Sequence, residues 1–285
     1  FYAREDLHGT CPFLVHERYR RTRQNASTKN ERSLYFCLTC DTSPGILIAM
    51  SMIYLIRHGQ ASFGHDNYDK LSTLGVRQSR ILARHLFDTG FRPDAVYSGA
   101  MDRQTATAEE VRSFFAEHGR PLPDLERVSG FDEYDTTAIV TAMFPAMADE
   151  DPSLHDELPR MYSSKKSFKR VFETAMLRWV TGRYDTDGIE AWEGLKARVA
   201  RDMTAIMERH GSGRTVAVFT SGGAIAASLS NVLGLPGEKA MRLNWQIVNT
   251  SLTRYMYNDE RITMAGFNSF THLELGGDPS LITYR

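Results

Sequence analysis

The sequence predicts an α/β fold: a doubly wound, mostly parallel sheet flanked by helices, with a helical insertion over the edge of the sheet that carries the candidate site. Two observations predict it. Short apolar segments rich in branched residues alternate with longer segments whose apolar residues recur at helical spacing. Strands that alternate with helices build parallel sheets covered on both faces. At 285 residues, 42% hydrophobic and 24% charged, the chain can bury the core of such a fold.

The first strand is predicted at residues 53–56, an apolar run that ends abruptly in Arg57, His58 and Gly59. A run of this kind is typical of a strand buried on both faces. Ligands of open α/β sheets bind at the carboxyl ends of such strands, so the arginine and histidine are placed for chemistry on an anion. His58 could attack through one ring nitrogen while a hydrogen bond holds the other. Taken alone, the tripeptide fits a surface arginine and histidine equally well.

Four elements follow this strand. Leu74, Leu82 and Leu86 share one face of a helix, and a glycine ends this helix and the next one. Short apolar segments between the helices predict strands. In order, the elements are a helix at 71–89, a strand at 95–97, a helix at 104–118 and a strand at 124–128. The loops after these two strands lead to Arg103 and Glu133.

The alternation of strands and helices lapses at about residues 136–186. Part of this region has apolar residues on a single helical face, which predicts a helical insertion over the sheet edge. The residues of that face are Phe168, Val171, Phe172, Ala175, Met176 and Trp179. An insertion in this position is a candidate lid, and we expect substrate specificity to lie there.

The alternation then resumes. A helix is predicted at residues 190–210, a strand at 215–219, a tight turn at 220–223 and a helix at 224–233. Two further strands, at 247–256 and 262–267, are separated by Asn258 and Asp259, which favour a turn.

Residues 1–49 differ from the rest of the chain. Residues 18–32 are basic and polar without an apolar period, and none of the 12 methionines precedes Met50. We expect a poorly ordered extension, or a segment that is not native product, followed by one domain at 50–285. The three cysteines, Cys11, Cys37 and Cys40, all lie in the extension, so the domain cannot form a disulfide of its own. This fits a reducing, cytoplasmic setting.

Charge and hydropathy limit the partners. A net charge of -1 argues against a general nucleic-acid or anionic-membrane partner. The apolar run at 46–56 is too short to span a bilayer. Any preference for an anionic ligand must therefore come from the local placement of arginine and lysine. The oligomeric state is left open.

Several polar groups follow predicted strands and would meet at one edge of the sheet. They are Arg57, His58, Arg103, Glu133, Ser221 and Gly222. Two arginines can hold the oxygens of one phosphoryl group, and backbone N–H groups at a helix start favour an anion. A carboxylic acid could protonate a leaving oxygen and then activate water. No His, Asp or Glu set has convincing metal-ligand spacing, so neither metal nor cofactor is predicted.

Across residues 52–273 the chain resembles the histidine phosphatase superfamily, the phosphoglycerate-mutase-like enzymes. The matching pieces are residues 55–59, 71–75 with Gln78, 97–103 with Thr107 and Ala108, 216–223, 249–251, and Asn268 with His272 and Leu273. They are spread over several loops in the family's order.

The resemblance implies a metal-independent phosphomonoesterase of the histidine acid phosphatase type. His58 would become a phosphohistidine by in-line attack. Arg57 and Arg103 would clamp the phosphate, and Glu133 would be the general acid and then the base. Asp132 and Asp135 compete with Glu133 for this role, because the acid varies in position within the family.

Two positions depart from the family. Ser221 stands where the family usually carries a second histidine, and Gly64 stands where many relatives have an asparagine. A serine donates one neutral hydrogen bond, and losing a preorganised donor can cost roughly a hundred- to a thousandfold in rate. Three outcomes stay open: a slow enzyme, one rescued by another group, or a non-catalytic binder of phosphate or phosphopeptide. A phosphoglycerate-type mutase is a further alternative.

Overall fold

A computed structural model describes residues 50–62, 69–161, 163–184 and 187–284. The predicted extension at 1–49 and Gly64 lie outside these residues. The described strands are β1 (Ser51–Arg57), β2 (Ala95–Ser98), β3 (Leu125–Arg127), β4 (Thr215–Thr220), β5 (Leu252–Tyr257) and β6 (Ile262–Ser269). The described α-helices are α1 (Thr73–Asp88), α2 (Asp102–Glu117), α3 (Thr136–Glu150), α4 (Leu154–Glu157), α5 (Lys165–Phe168), α6 (Thr174–Trp179), α7 (Trp192–His210), α8 (Gly222–Leu233), α9 (Gly237–Asn244) and α10 (Thr271–Glu274).

The six strands form one sheet in the order β3-β2-β4-β1-β5-β6. The strands β3, β2, β4 and β1 run parallel, which confirms the predicted parallel core. The last two strands are antiparallel to their neighbours, so the sheet is mixed. The short link between β5 and β6 explains why these two strands pair antiparallel, because a parallel pair needs a crossover of a dozen or more residues.

The strand β1 lies inside the sheet, parallel to β4 on one side and antiparallel to β5 on the other. Ile53, Leu55 and Ile56 are fully buried, as predicted for a strand covered on both faces. Its last residue, Arg57, pairs in register with Thr220, the last residue of β4. Residues that follow these two strands therefore meet at the same edge.

Helices cover both faces of the sheet. On one face, α1 and α2 pack a core that includes Leu82, Val111 and Phe115. On the other face, residues of α7 and α8 such as Leu195 and Ile225 join a larger core with the insertion. The helix α1 begins after Ser72, whose hydroxyl accepts a hydrogen bond from the backbone N–H of Gly75, so it is a typical N-cap.

The insertion is helical, and Val171, Ala175, Met176 and Trp179 are buried as the apolar face predicts. The single predicted helix is interrupted, because a π-helical segment at Lys169–Glu173 separates α5 from α6. The ring of Trp179 packs 4.8 Å from that of Tyr134 and 5.5 Å from that of Trp192, measured between centroids. The insertion is thereby joined to the loop that follows β3 and to the start of α7.

The predicted strand at 247–256 is wrong in its first half. Strand β5 begins only at Leu252, and Thr250 has a φ of 61°, outside the extended region. The backbone N–H of Thr250 donates to the carbonyl oxygens of Arg57 (3.0 Å) and His58 (3.3 Å). The chain therefore turns around the end of β1 before it pairs. Four helices begin two residues away from the predicted start: α1 at Thr73, α2 at Asp102, α7 at Trp192 and α8 at Gly222.

Candidate active site

His58 lies directly after β1 and is 3% exposed. Its Nδ1 is 2.6 Å from the carbonyl oxygen of Gly59, which can only accept, so Nδ1 carries the proton. Its Nε2 is 3.1 Å from Nε of Arg103, which can only donate, so Nε2 presents a lone pair. Burial, followed by the charges of Arg103 and Arg57, holds the pKa of His58 well below its usual value. The imidazole is therefore neutral, in the tautomer that a nucleophile attacking through Nε2 requires.

Hydrogen bonds from distant elements fix the histidine loop. The backbone N–H of Gly59 donates to Oγ1 of Thr107 on α2 at 3.0 Å. The side-chain amide of Asn249, in the turn before β5, donates to the carbonyl oxygen of His58 at 3.0 Å. Both partners are fully buried. The position of His58 is thus set by three separate parts of the chain.

Arg103, in the first turn of α2, is 4% exposed. Its Nη1 lies 2.6 Å from Oδ1 of Asp69, and the other carboxylate oxygen of Asp69 accepts from the backbone N–H of Asp102 at 2.8 Å. One carboxylate thus holds the guanidinium and the start of its helix. Sequence reasoning missed Asp69, because an acid in a polar loop resembles any solvated carboxylate.

Arg57, the last residue of β1, is 8% exposed and donates to two backbone carbonyls. Its Nη1 donates to the oxygen of Ile247, and its Nη2 donates to that of Tyr284 at 2.9 Å. The second contact brings the C-terminal residues to the candidate site, which the sequence did not indicate.

Two side chains hold this C-terminal segment. The amide nitrogen of Gln78 donates to the carbonyl oxygen of Leu281 and to Oγ1 of Thr283, both at 2.8 Å. The amide oxygen of Gln78 accepts from the backbone N–H of Gln60, in the histidine loop, at 2.9 Å. Thr283 also bonds Asn249 through its backbone and its hydroxyl. Gln78 and Asn249 therefore join the C-terminal segment to the loop that carries His58.

Glu133 lies in the loop between β3 and α3, next to the turn after β4. Both of its carboxylate oxygens accept from the backbone N–H of Gly223, at 3.0 and 3.2 Å. A Cβ added at Gly223 would overlap Oε1 of Glu133, so the glycine permits this approach. The carboxylate thereby sits at the start of α8, beside Ser221 and Gly222.

The two competing acids make other contacts. Oδ1 of Asp132 accepts from the backbone N–H of Ala100 at 2.5 Å, and burial raises the pKa of Asp132. Asp135 is exposed and caps α3 by accepting from the backbone N–H of Ala138 at 2.9 Å. Among the residues that the structure describes, Glu133 is the one acid of these three that hydrogen-bonds to the turn that follows β4.

Ser221 and Gly222 join β4 to α8. Ser221 is fully buried and is the N-cap of α8, but its side chain makes no capping hydrogen bond. Its Oγ instead accepts from Nε2 of Gln104 at 2.8 Å. A Cβ added at Gly222 would collide with Oδ1 of Asn244 and lie 3.7 Å from Nε of Arg57. The turn thus lies directly beside the first arginine.

Arg57 ends β1, and the other predicted site residues follow the carboxyl ends of β1, β2, β3 or β4. Close contacts join His58 to Arg103 and Gly222 to Arg57. Glu133 and Ser221 instead contact Gly223 and Gln104, which were not predicted. Within the described ranges, no group of three or more His, Cys, Asp or Glu side chains could hold a metal ion. None of the helices in these ranges is long and apolar enough to cross a membrane.

Comparisons with known proteins agree with this geometry. A phosphoglycerate mutase from Bacillus anthracis str. Sterne has a TM-score of 0.56 at 18% identity, covering 81% of this chain and 98% of that one. A phosphoserine phosphatase mutant from Entamoeba histolytica has a TM-score of 0.54 at 16% identity, covering 79% and 100%. A mycobacterial glucosyl-3-phosphoglycerate phosphatase has a TM-score of 0.53 at 19% identity, covering 77% and 99%. At these identities the likeness shows the fold.

Family membership is shown by a match to a sequence profile. A search of curated protein sequences finds no significant match. The family profile described as "Histidine phosphatase superfamily (branch 1)" matches residues 53–158 and 133–269, well over half of the chain. The chain therefore belongs to branch 1 of the histidine phosphatase superfamily.

Proposed function

We propose that this protein is a metal-independent phosphomonoesterase that works through a phosphohistidine on His58. The observation that carries the proposal is the state of His58: a buried, neutral imidazole with its Nδ1 proton held by Gly59 and its Nε2 lone pair beside Arg103. A nucleophile needs this lone pair, and a purely structural histidine does not.

The proposed reaction has two steps. In the first, Nε2 of His58 forms a bond to phosphorus while the bond to the leaving oxygen breaks, and Glu133 gives that oxygen a proton. In the second, Glu133 takes a proton from water, the water oxygen bonds to phosphorus, and the bond to Nε2 breaks. Arg57 and Arg103 hold the non-bridging oxygens throughout, as arginine pairs can.

The solved neighbours support a small phosphorylated substrate. They include a phosphoserine phosphatase, a glucosyl-3-phosphoglycerate phosphatase and a phosphoglycerate mutase. From these proteins we extend to this chain only the substrate class, a phosphomonoester. We propose that the activity is cytoplasmic.

Two alternatives have support of their own. Ser221 in place of a charged donor favours a non-catalytic phosphate or phosphopeptide binder. A mutase neighbour favours return of the phosphoryl group to an organic acceptor rather than to water. The retained nucleophile and both arginines favour turnover over binding alone.

Transient labelling separates these functions. The full chain is mixed with a radiolabelled aryl phosphate without added metal and quenched in base, where phosphohistidine survives. A phosphatase gives a label that appears and decays to free phosphate, whereas His58→Ala gives none and the control His118→Ala labels normally. A binder never labels. A mutase holds the label until a phosphoglycerate acceptor is added.

A further inference from the structure

Gln104 is the buried residue that follows Arg103 on α2, and nothing in the predicted mechanism uses it. Its side-chain amide nitrogen donates to Oγ of Ser221 at 2.8 Å and to the carbonyl oxygen of Phe131 at 3.0 Å. Its amide oxygen accepts from the backbone N–H of Met101 at 3.3 Å. Gln104 and Ser221 are both 0% exposed. The two residues form a buried polar pair between α2 and the turn after β4.

The direction of the hydrogen bond between these side chains is fixed. The carbonyl of Phe131 can only accept, and the N–H of Met101 can only donate, so the amide of Gln104 has only one possible orientation. Its nitrogen therefore faces Ser221, and Oγ of Ser221 is the acceptor. The hydroxyl hydrogen of Ser221 has no acceptor among the residues that the structure describes. It remains available to a ligand.

The available hydroxyl lies at the candidate phosphate site. Ser221 precedes Gly222, which approaches the guanidinium of Arg57, while Gln104 follows Arg103, which contacts Nε2 of His58. The pair thus joins the helix that carries Arg103 to the turn that approaches Arg57. A hydroxyl that already accepts from an amide is polarised and has fewer rotamers, so it donates more strongly and with less loss of entropy.

We propose that Gln104 is a positioning residue that aims the Ser221 hydroxyl at a phosphoryl oxygen. This inference rests on the proposed function, because it assumes that the site takes phosphate. In this role Gln104 supplies through Ser221 the preorganised donor that a second histidine would otherwise provide. Gln104 itself touches neither the substrate nor the nucleophile.

A double-mutant cycle tests the proposal with inorganic orthophosphate as the probe. The dissociation constant of orthophosphate is measured calorimetrically for the full chain, for Ser221→Ala, for Gln104→Leu and for the double variant. Each single variant is expected to bind about fivefold more weakly, the worth of one neutral hydrogen bond. The double variant is expected to lose no more than either single one, because Gln104 acts through Ser221.

Two further variants guard against a structural effect. Thr220→Val removes the other side-chain hydrogen bond to the Phe131 carbonyl, which is 2.7 Å long, and leaves the Gln104–Ser221 bond in place. We expect its orthophosphate affinity to stay within twofold of the parent's. If Gln104→Leu does not fold, Gln104→Met keeps the length of the side chain and adds no charge but cannot donate to Ser221, so it too is expected to weaken binding.

The outcomes distinguish this inference from the proposed function. Unchanged affinity in Gln104→Leu, or losses that add in the double variant, would overturn the positioning role even if the enzyme turns over. Coupled losses in a protein that never labels at His58 would support the role while refuting the phosphatase. Coupled losses together with a matching fall in kcat/KM for an aryl phosphate would support both.

Discussion

The Nε atom of Arg103 donates a hydrogen bond to Nε2 of His58 over 3.1 Å. The guanidinium that we propose to bind the phosphate therefore also holds the nitrogen that we propose to attack it. Before the substrate arrives, this bond orients the imidazole. In the proposed reaction the lone pair of Nε2 moves to phosphorus, and the guanidinium would then give that donor to a phosphoryl oxygen. The carboxylate of Asp69, 2.6 Å from Nη1, keeps Arg103 in place during the exchange.

Arg103→Lys is therefore expected to be severe despite the retained charge. Lysine has one nitrogen and cannot contact Asp69 and Nε2 of His58 with separate donors in the same geometry. We expect kcat/KM for an aryl phosphate to fall roughly a hundredfold or more, as for loss of a preorganised donor. Arg112→Lys, on the exposed side of the same helix, is the control. A loss below threefold for Arg103→Lys would contradict this role.

The choice among the three acids can be made through the leaving group. Glu133→Gln keeps the size of the side chain but cannot supply a proton. We expect kcat/KM, which reports the first step, to fall roughly a hundredfold or more for an alkyl phosphate and much less for a nitrophenyl phosphate, whose leaving group needs no proton. Asp135→Asn should leave both rates nearly unchanged, because Asp135 caps a helix. If Asp132→Asn shows the leaving-group pattern instead, Asp132 is the acid.

Two glycines give a matched test of the close approach between Glu133 and α8. A methyl group at Gly223 would overlap Oε1 of Glu133 and the ring of the adjacent Tyr134, whereas one at Gly194 on α7 would lie 3.4 Å from the nearest atom, Cγ of Glu190. Gly223→Ala should reduce kcat at least tenfold. Gly194→Ala should keep full activity and stabilise the fold by about 0.5–1 kcal/mol, as alanine does in helices. Equal activity in both variants would show that the position of Glu133 is unimportant.

Introducing a histidine at position 221 should fail unless space is made for it. Ser221→His places an imidazole in the fully buried space next to Gln104, and overpacking of this kind costs about 1–3 kcal/mol. We expect a lower Tm and no gain in rate. The double variant Gln104→Ala/Ser221→His should regain stability and exceed Ser221→His in kcat/KM. A fully stable and faster Ser221→His would refute the tight packing of the pair.

His272 predicts a loss of stability in acid. Burial, aided by the charge of nearby His85, lowers the pKa of His272 from 6.5 to about 3. In this pH range His272 binds a proton in the unfolded state but not in the folded state. Stability therefore falls as the pH drops from about 6.5 towards 3. Between pH 7 and pH 5 this one group should cost about 2 kcal/mol.

Urea unfolding at both pH values checks this. His272→Gln removes the titrating group and can still bond Oγ1 of Thr250, which lies 3.1 Å from Nε2 of His272. The variant should lose about 2 kcal/mol less than the parent between the two pH values. An equal loss in both proteins would show that His272 is not the cause.

Much of the fold could be predicted because its signals are local. Runs of buried branched residues gave β1 and β4, and glycines marked the ends of α1, α2 and α8. The start of β5 was not predictable from these signals, since residues 247–251 begin with two branched apolar residues, Ile247 and Val248, that fit a strand. They turn because Thr250 and Asn249 bond the end of β1, a contact that leaves no trace in the local pattern.

The same distinction between local signals and long-range contacts applies to the candidate site. Arg57, His58, Arg103 and Ser221 follow strands and could be named from sequence, although their roles stay predictions. The residues that support them were missed. Asp69 and Gln104 act through hydrogen bonds to residues that are distant in sequence, and Arg57 is held by backbone carbonyls, which every residue has. Composition and periodicity cannot register such contacts.

Because β1 lies inside the sheet and leads directly to His58, activity should depend on the folding of the sheet as a whole. This strand pairs only with β4 and β5, both distant in sequence, so it cannot form a stable local unit with its chain neighbours. Pairings of such high contact order form slowly. Amide protons of a strand held on both sides by remote segments exchange mainly when the domain opens globally. The amide protons at the end of β1, near Arg57, should therefore be among the last to exchange with solvent. Loss of activity should coincide with global unfolding.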